Sequence, residues 1–204
     1  AEAIGFAQGF LAVARADEGR RAALPECQEG LVLQRGEIEL LDHLLGELRA
    51  GLEARDPGLQ NTLLVLAADH GECFGEGGLR YLHERSLYAA TQHIPAVIRP
   101  PSGRADLPRA TRLRSPASQV DLLPTICELA GIPVPEHAQG LSLVSAFDGR
   151  SPPPRGLYME AFQLRLGEHR LQGLLQDGWK YVRALNGVEF LYRQGASDAE
   201  DWAA

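Results

Sequence analysis

The sequence has few of the features that mark disulfide-stabilised, nucleic-acid-binding or membrane-spanning proteins. It contains three cysteines, an odd number without C-x-x-C or zinc-finger spacing, so no disulfide framework is indicated. Its 20 basic residues include a single lysine and are outnumbered by 27 acidic ones, so the formal net charge of -7 argues against nucleic acid as a partner. The longest apolar run, 62–68, is well below the ~18–20 residues that span a bilayer. We therefore expect no membrane span in this chain.

The remaining composition is that of a globular protein. Apolar residues make up 45% of the 204 positions and charged residues 23%, which is enough apolar content for a sizeable core in one domain with a small appendage. The sequence begins at Ala1 without Met or a secretory signal, so we expect that further N-terminal residues precede it. Localisation is open between a periplasmic or secreted protein and a cytoplasmic one.

A helix followed by two strands is predicted in the first half of the chain. From Gly36 to about Gly51 apolar residues recur at three- and four-residue steps, which is typical of a helix that packs one face on a sheet. The nearly continuous apolar run 62–68 predicts a central parallel strand that is buried on both faces. Residues 94–99 predict a second strand, which two prolines end. This order of elements predicts an α/β fold.

A second helix and two hairpins are predicted further along. Apolar periodicity over 119–130 predicts a helix with Gly131 at its C-cap, and Pro124 marks either the start of this helix or a kink in it. The Asp177-Gly178 and Asn186-Gly187 pairs separate short apolar segments and predict tight β-turns.

A run of prolines gives the best domain boundary. Three successive prolines at 152–154 can continue neither a helix nor a central strand. We therefore predict one domain over 1–150 and a small second unit over 151–204.

Polar residues follow the apolar run 62–68 directly. Ligands of open α/β sheets bind beyond the carboxyl ends of the strands, so Asp69, His70, Gly71 and Glu72 are the first residues to consider. A carboxylate and an imidazole can bind one divalent cation, or two adjacent ones, if the backbone turns sharply, as a glycine allows. On spacing alone, a capping aspartate and a solvated histidine are an equal alternative.

Three blocks in this region resemble motifs of the sulfatase family, in the family's order and spacing. They are Asp69-His70-Gly71-Glu72-x-Phe74-Gly75-Glu76, His83-x-x-Ser86-Leu87-Tyr88 and Ile94-Pro95-x-Val97-Ile98-x-Pro100. Similar blocks lie at 36–42, 120–126, 130–132, 179–181 and 189–192. Together they cover nearly all of the chain after about residue 36, so it resembles the C-terminal half of a sulfatase catalytic domain.

The resemblance implies a fold and a function. The fold is the α/β sandwich of the alkaline phosphatase-like superfamily, a mixed sheet flanked by helices, with 1–150 as part of the catalytic domain and 151–204 as a small C-terminal β-hairpin or α+β subdomain. The function is that of a sulfuric ester hydrolase acting on a small-molecule or glycan sulfate ester.

The resemblance also implies roles for four residues. Asp69 and His70 match ligands of a divalent metal, most often Ca²⁺ in sulfatases. His83 matches a catalytic position near the sulfate ester, where it stabilises charge or protonates the leaving oxygen. Glu72 is part of the motif and is expected to orient His70 from behind the metal ligands.

The sequence also departs from the family pattern. Sulfatases carry a formylglycine nucleophile, made from Cys or Ser in C/S-x-P/A-x-R, well before the metal strand, and none of the three cysteines here has Arg four positions later. We therefore expect the nucleophile upstream of this sequence and an isolated chain that is inactive. Gly77, Glu84 and the Ala89-Ala90 pair replace residues that are frequent in the family.

Two alternatives stay open. One is an inactive or truncated sulfatase-like domain. The other is a phosphodiester or phosphonate hydrolase, or a phosphoethanolamine transferase, of the same superfamily.

Overall fold

The computed structural model describes most of the chain after residue 24. The described residues are 25–74, 79–83, 86–107, 112–113, 115–150, 152–163, 169–194 and 201–203. The chain divides into two compact units, and each is described by itself. The first unit comprises Ala1–Gly51, Leu66–Val97 and Tyr158–Ala204, and the second comprises Leu52–Val65 and Ile98–Leu157.

Helix α1 (Pro25–Glu53) is longer than the sequence predicts. It begins at Pro25 because proline is favoured at the first position of a helix, where its missing N–H costs no hydrogen bond. Gly30 and Gly36 lie inside the helix, since a glycine lowers helix stability by only about 1 kcal/mol. The apolar stripe expected to pack on a sheet is exposed, with Leu44 and Leu48 at 50% and 56% exposure. A stripe specifies an apolar face but not the surface that covers it.

The two predicted strands pair with each other. Strand β1 (Leu64–Ala67) lies beside β4 (Ala96–Arg99) in a two-stranded sheet. The N–H of Ala68 donates to the carbonyl oxygen of Pro95 at 3.2 Å, which joins the end of β1 to the start of β4. The two strands are therefore antiparallel, whereas the apolar run 62–68 predicts a parallel strand. An apolar run indicates burial but carries no information on the direction of its neighbour.

A short hairpin and a one-turn helix lie between β1 and β4. Strand β2 (Cys73–Phe74) pairs antiparallel with β3 (Arg80–Leu82), with Cys73 opposite Leu82. Helix α2 (Ala89–Gln92) follows. These elements bring the residues after β1 close to those before α2.

The end of the chain forms a five-stranded sheet. Its strands lie in chain order, β5 (Leu157–Gln163), β6 (His169–Gln176), β7 (Trp179–Ala184), β8 (Glu189–Gln194) and β9 (Asp201–Ala203). The pairs β6–β7, β7–β8 and β8–β9 are antiparallel.

Both predicted turns of this sheet are confirmed. Asp177 and Gly178 have φ of 50° and 77° and form a two-residue loop of the type that aspartate and glycine favour. Gly187 has φ of 83° and closes the β7–β8 loop. The inner face of the sheet buries Ala161 and Val182 together with Leu87.

The second unit is built on helix α3 (Leu122–Ala130), which a 3₁₀ turn (Gln119–Asp121) precedes. Pro124 lies in the first turn of α3, so the helix starts near it and is not kinked. Gly131 ends the helix in the left-handed conformation, with φ of 68°, as predicted.

The core of the second unit combines apolar and polar side chains, among them Asp121, Thr125, Leu129 and Leu143.

None of the helices among the described residues combines the length and the apolar character of a membrane-spanning segment. The domain boundary at 151 stays a prediction.

Candidate metal centre

Asp69 follows strand β1 and lies at the surface of the first unit. The side chain of Asp69 is 88% exposed, and its Oδ1 accepts the main-chain N–H of His70 at 2.9 Å. This hydrogen bond is the main cause that holds the pKa of Asp69 below its usual value. Asp69 is therefore an ionised carboxylate that can bind a cation.

Gly71 brings this segment against α2. Its N–H donates to the carbonyl oxygen of Thr91 at 2.9 Å. A Cβ atom at position 71 would lie 2.0 Å from the carbonyl oxygen of Ala90, so only glycine fits this close approach. The backbone after His70 is thus fixed by contacts that a side chain at position 71 would disrupt.

The hydrogen bonds of His70 leave one ring nitrogen available. Nδ1 lies 2.9 Å from the carbonyl oxygen of Gly71, and because a carbonyl only accepts, Nδ1 carries a proton. In the neutral imidazole Nε2 then has a free lone pair, the usual arrangement of a metal-binding histidine. Nε2 lies 3.6 Å from Oδ2 of Asp69. Two potential ligand atoms therefore lie side by side.

Glu72 and His83 meet across the β2–β3 hairpin. Nδ1 of His83 lies 3.3 Å from Oε2 of Glu72, and the rings of His83 and His70 are stacked with their centroids 3.8 Å apart. Glu72 thus contacts His83, whereas the sequence predicted that it orients His70. The reason is the register of the hairpin, which pairs Cys73 with Leu82 and sets the flanking residues 72 and 83 opposite each other. All four predicted site residues come together.

The remaining oxygen of Glu72 needs a further partner. Oε1 is buried and has no hydrogen-bond partner among the described residues. A buried carboxylate oxygen without a donor is costly, and one remedy is a nearby cation or ordered water.

The geometry of Asp69 and His70 fits a shared cation. Oxygen and nitrogen ligands lie about 2.0–2.6 Å from divalent cations, so an oxygen and a nitrogen 3.6 Å apart subtend roughly 90–130° at the ion. Two ligands are not a complete site. Over the described residues, no group of three or more His, Cys, Asp or Glu side chains could hold a metal ion.

A buried polar network that the sequence does not predict supports this segment. The Ser86 hydroxyl lies 3.5 Å from Sγ of Cys73 and 3.3 Å from Oγ1 of Thr91. Thr91 is 1% exposed, and its hydroxyl is also close to the carbonyl oxygens of Ser86 and Tyr88. The sequence signal is limited to Ser86, which lies in the His83-x-x-Ser86-Leu87-Tyr88 block.

One serine meets the spacing of the nucleophile motif. Ser151, Pro153 and Arg155 fit S-x-P-x-R by letter. Ser151 itself lies outside the described residues, and Arg155 is ion-paired with the buried carboxylate of Asp121. The segment also follows the metal strand, whereas the family's motif precedes it. We therefore interpret Arg155 as structural.

Comparison with known proteins relates about half of the chain to one family. Residues 33–132 match the sulfatase family model. The chain is 38% identical over 104 residues to arylsulfatase K from Bos taurus. The aligned region covers 50% of this chain and 18% of that protein. The chain spans about a fifth of the length of this relative.

Solved structures extend the likeness beyond the matched region. A protein in complex with its substrate D-glucosamine-2-N,6-O-disulfate is 25% identical, with a TM-score of 0.58 over 75% of this chain and 31% of that one. Phosphonate monoester hydrolase from Silicibacter pomeroyi has a TM-score of 0.62 over 76% of this chain and 33% of that protein chain. Because the identity is 23%, this likeness shows the fold alone. The prediction of an alkaline phosphatase-like α/β fold is confirmed.

Proposed function

We propose that this chain, whose residues 33–132 match the sulfatase family model, carries part of the divalent-metal site of a sulfuric ester hydrolase. The observation that carries the proposal is the 3.6 Å separation of Asp69 Oδ2 and His70 Nε2 beside His83. Each of these residues matches the family motif, and together they offer a carboxylate oxygen and an imidazole lone pair to the same point.

Asp69 and His70 would hold the cation. A bound Ca²⁺ would supply positive charge to the oxygens of a sulfate ester. Asp69 contributes a negative charge and His70 a neutral donor, a mixed set that binds Ca²⁺ less specifically than an all-oxygen set would. Further ligands would come from residues beyond those described.

His83 and Glu72 would take part in proton transfer to the leaving group. A protonated His83 can give its Nε2 proton to the leaving oxygen of the ester while Nδ1 stays hydrogen-bonded to Glu72. The carboxylate stabilises the imidazolium before the transfer and fixes the direction of its ring. In this proposal Glu72 positions His83, and His83 contacts the substrate.

The nucleophile would come from sequence outside these 204 residues. A formylglycine made from the family's C/S-x-P/A-x-R motif would attack sulfur, and none of the three cysteines here has the required arginine. The substrate class would be a small-molecule or glycan sulfate ester. A solved relative that binds a sulfated glucosamine supports the glycan arm of this proposal.

The test uses the full-length gene product that contains this chain. Metal content and turnover are measured for Asp69→Asn and His70→Ala, with aryl sulfate and an aryl phosphodiester as competing substrates. We expect both variants to lose Ca²⁺ and at least about 100-fold in turnover of the sulfate ester, because loss of an outer partner of a metal site alone costs about 10–100-fold. The matched controls are Asp106→Asn and His43→Ala, which remove the same groups from exposed positions.

Each other outcome identifies a different error. Retained Ca²⁺ and a near-normal rate in Asp69→Asn would refute the metal assignment. A wild-type protein that binds Ca²⁺ but hydrolyses neither ester would be an inactive homologue, and preference for the phosphodiester would move the protein to a phosphoryl-transfer branch. Loss of turnover in Ser151→Ala would contradict the proposed origin of the nucleophile.

A further inference from the structure

The five-stranded sheet contains a buried lysine that the proposed reaction does not use. Lys180 lies on β7, is the single lysine of the chain and is 4% exposed. Its Nζ donates to the carbonyl oxygen of Leu87 at 2.5 Å and lies 5.5 Å from the centroid of the Tyr192 ring. Burial lowers the pKa of Lys180 to about 8. Burying an amine costs free energy unless the amine is hydrogen-bonded. The hydrogen bond from Lys180 to Leu87, on a loop distant in sequence, supplies such a partner.

Leu87 is also held by its side chain. A Cβ atom at Gly173, on β6, would lie 2.8 Å from Leu87 Cδ1, so Leu87 occupies a notch that exists because residue 173 is glycine. Around this notch Leu87 packs with Ala161 and Val182, two buried residues of the sheet. The sheet therefore fixes both the side chain and the carbonyl group of one loop residue.

The loop that Leu87 anchors is bonded to the segment that carries the metal ligands. Ser86 lies against Cys73 and Thr91, as described above. The carbonyl oxygen of Thr91 accepts the N–H of Gly71, the residue after His70. A continuous set of contacts thus runs from β7 through residues 86–91 to the end of β1.

We propose that Lys180 is a positioning residue for the metal ligands, because its hydrogen bond to Leu87 holds residues 86–91 against Gly71 and so keeps Asp69 and His70 in place. The proposal rests on the metal site proposed above. The contacts themselves do not require a metal, so they can be tested without one.

The experiment compares Lys180→Met with the wild type in the full-length gene product. Methionine keeps most of the side-chain volume but leaves the buried carbonyl of Leu87 without this donor. We expect hydrogen–deuterium exchange of peptides covering 69–74 and 86–92 to become about tenfold faster or more. We also expect Ca²⁺ affinity to fall by about 10–100-fold, with a matching loss in kcat rather than in KM.

Val182→Ala is the matched control. Val182 lies on the same strand and the same face and touches the same loop, but it has no polar function. Its loss of packing destabilises the sheet, and we expect Ca²⁺ affinity and kcat per folded molecule to stay within about threefold of wild type. Lys180→Arg restores a buried donor and should recover exchange protection relative to Lys180→Met.

The result that would overturn the proposal is a Lys180→Met protein that loses stability like Val182→Ala but keeps its exchange at 69–74 and its Ca²⁺ affinity. If Lys180→Met does not fold, Gly173→Ala serves instead, since its Cβ would displace Leu87 from the notch and should produce the same changes. Failure of the proposed function is recognised separately. A wild-type protein without Ca²⁺ or turnover would refute that function, whereas the exchange difference would still support the positioning role.

Discussion

Two clusters of polar side chains in this chain each contain an aspartate at the edge of an apolar element, and they differ in how their polar atoms are used. The strand-end cluster consists of Asp69, His70, Glu72 and His83. The Asp121 cluster consists of Asp121, Thr125 and Arg155 with the main-chain groups that they bind.

In the Asp121 cluster every described carboxylate oxygen has a protein donor. Asp121 is 0% exposed and accepts the N–H groups of Ser118 and Leu141 at 2.8 and 2.9 Å, besides its ion pair with Arg155. Thr125 donates to the carbonyl oxygen of Asp121 and accepts the N–H of Leu143. The cluster ties three separate segments of the second unit together.

The strand-end cluster is more exposed and less completely hydrogen-bonded. Asp69 is 88% exposed, and Glu72 keeps one buried oxygen without a partner in the described part of the chain. A structural cluster satisfies its own groups, whereas a binding site retains groups for a ligand. The burial of Asp121 fits a structural role, and the exposure of Asp69 is compatible with the proposed binding role.

The largest expected effect comes from removing His83. His83→Ala in the full-length gene product should lower kcat for an aryl sulfate by about 10²–10⁴-fold, the usual contribution of a general acid, while Ca²⁺ stays bound. Glu72→Gln should have a smaller effect, since the ring loses only a charged partner. Steady-state kinetics and metal analysis check both variants. A kcat within threefold of wild type in His83→Ala would make His83 a solvated loop residue.

The Asp121 cluster should respond in stability and not in chemistry. Arg155→Met leaves the carboxylate of Asp121 buried without its cation and should lower the free energy of unfolding by about 3–5 kcal/mol. The double variant with Asp121→Asn should lose less than the sum of the two single changes. Urea denaturation measures the stability, and kcat per folded molecule should not change. A loss of kcat without a loss of stability would instead place Arg155 in the active site and would support residues 151–155 as the nucleophile motif.

Local sequence signals predicted the parts of the fold that local chemistry decides. The Asp177-Gly178 turn could be predicted because few residues adopt positive φ, and these two do so readily. The start of α1 could not, since Pro25 and Gly30 are typical of a loop as well as of a helix N-terminus. The direction of β4 relative to β1 was also out of reach, because an apolar run is the same in either direction.

The sequence predicted where the candidate site residues lie in the chain, but it did not predict their contacts with one another. The position of Asp69 and His70 after an apolar strand indicated a binding site, and the resemblance added His83. The Glu72–His83 contact depends on the register of β2 and β3, which the sequence does not specify. The contact from Lys180 to Leu87 joins residues 93 positions apart, and no local pattern predicts such a pair.

The smallest of these effects concerns a single hydroxyl in the Asp121 cluster. Thr125→Val keeps the shape of the side chain but leaves the buried N–H of Leu143 without its acceptor, so the free energy of unfolding should fall by about 1–3 kcal/mol. Ser142→Ala is the matched control, because its hydroxyl accepts the N–H of Val144 at a half-buried site where water can replace it. Urea denaturation should find a smaller loss for Ser142→Ala. If the two losses were equal, burial would not be what distinguishes the Asp121 cluster, and the contrast with the exposed Asp69 would lose its physical basis.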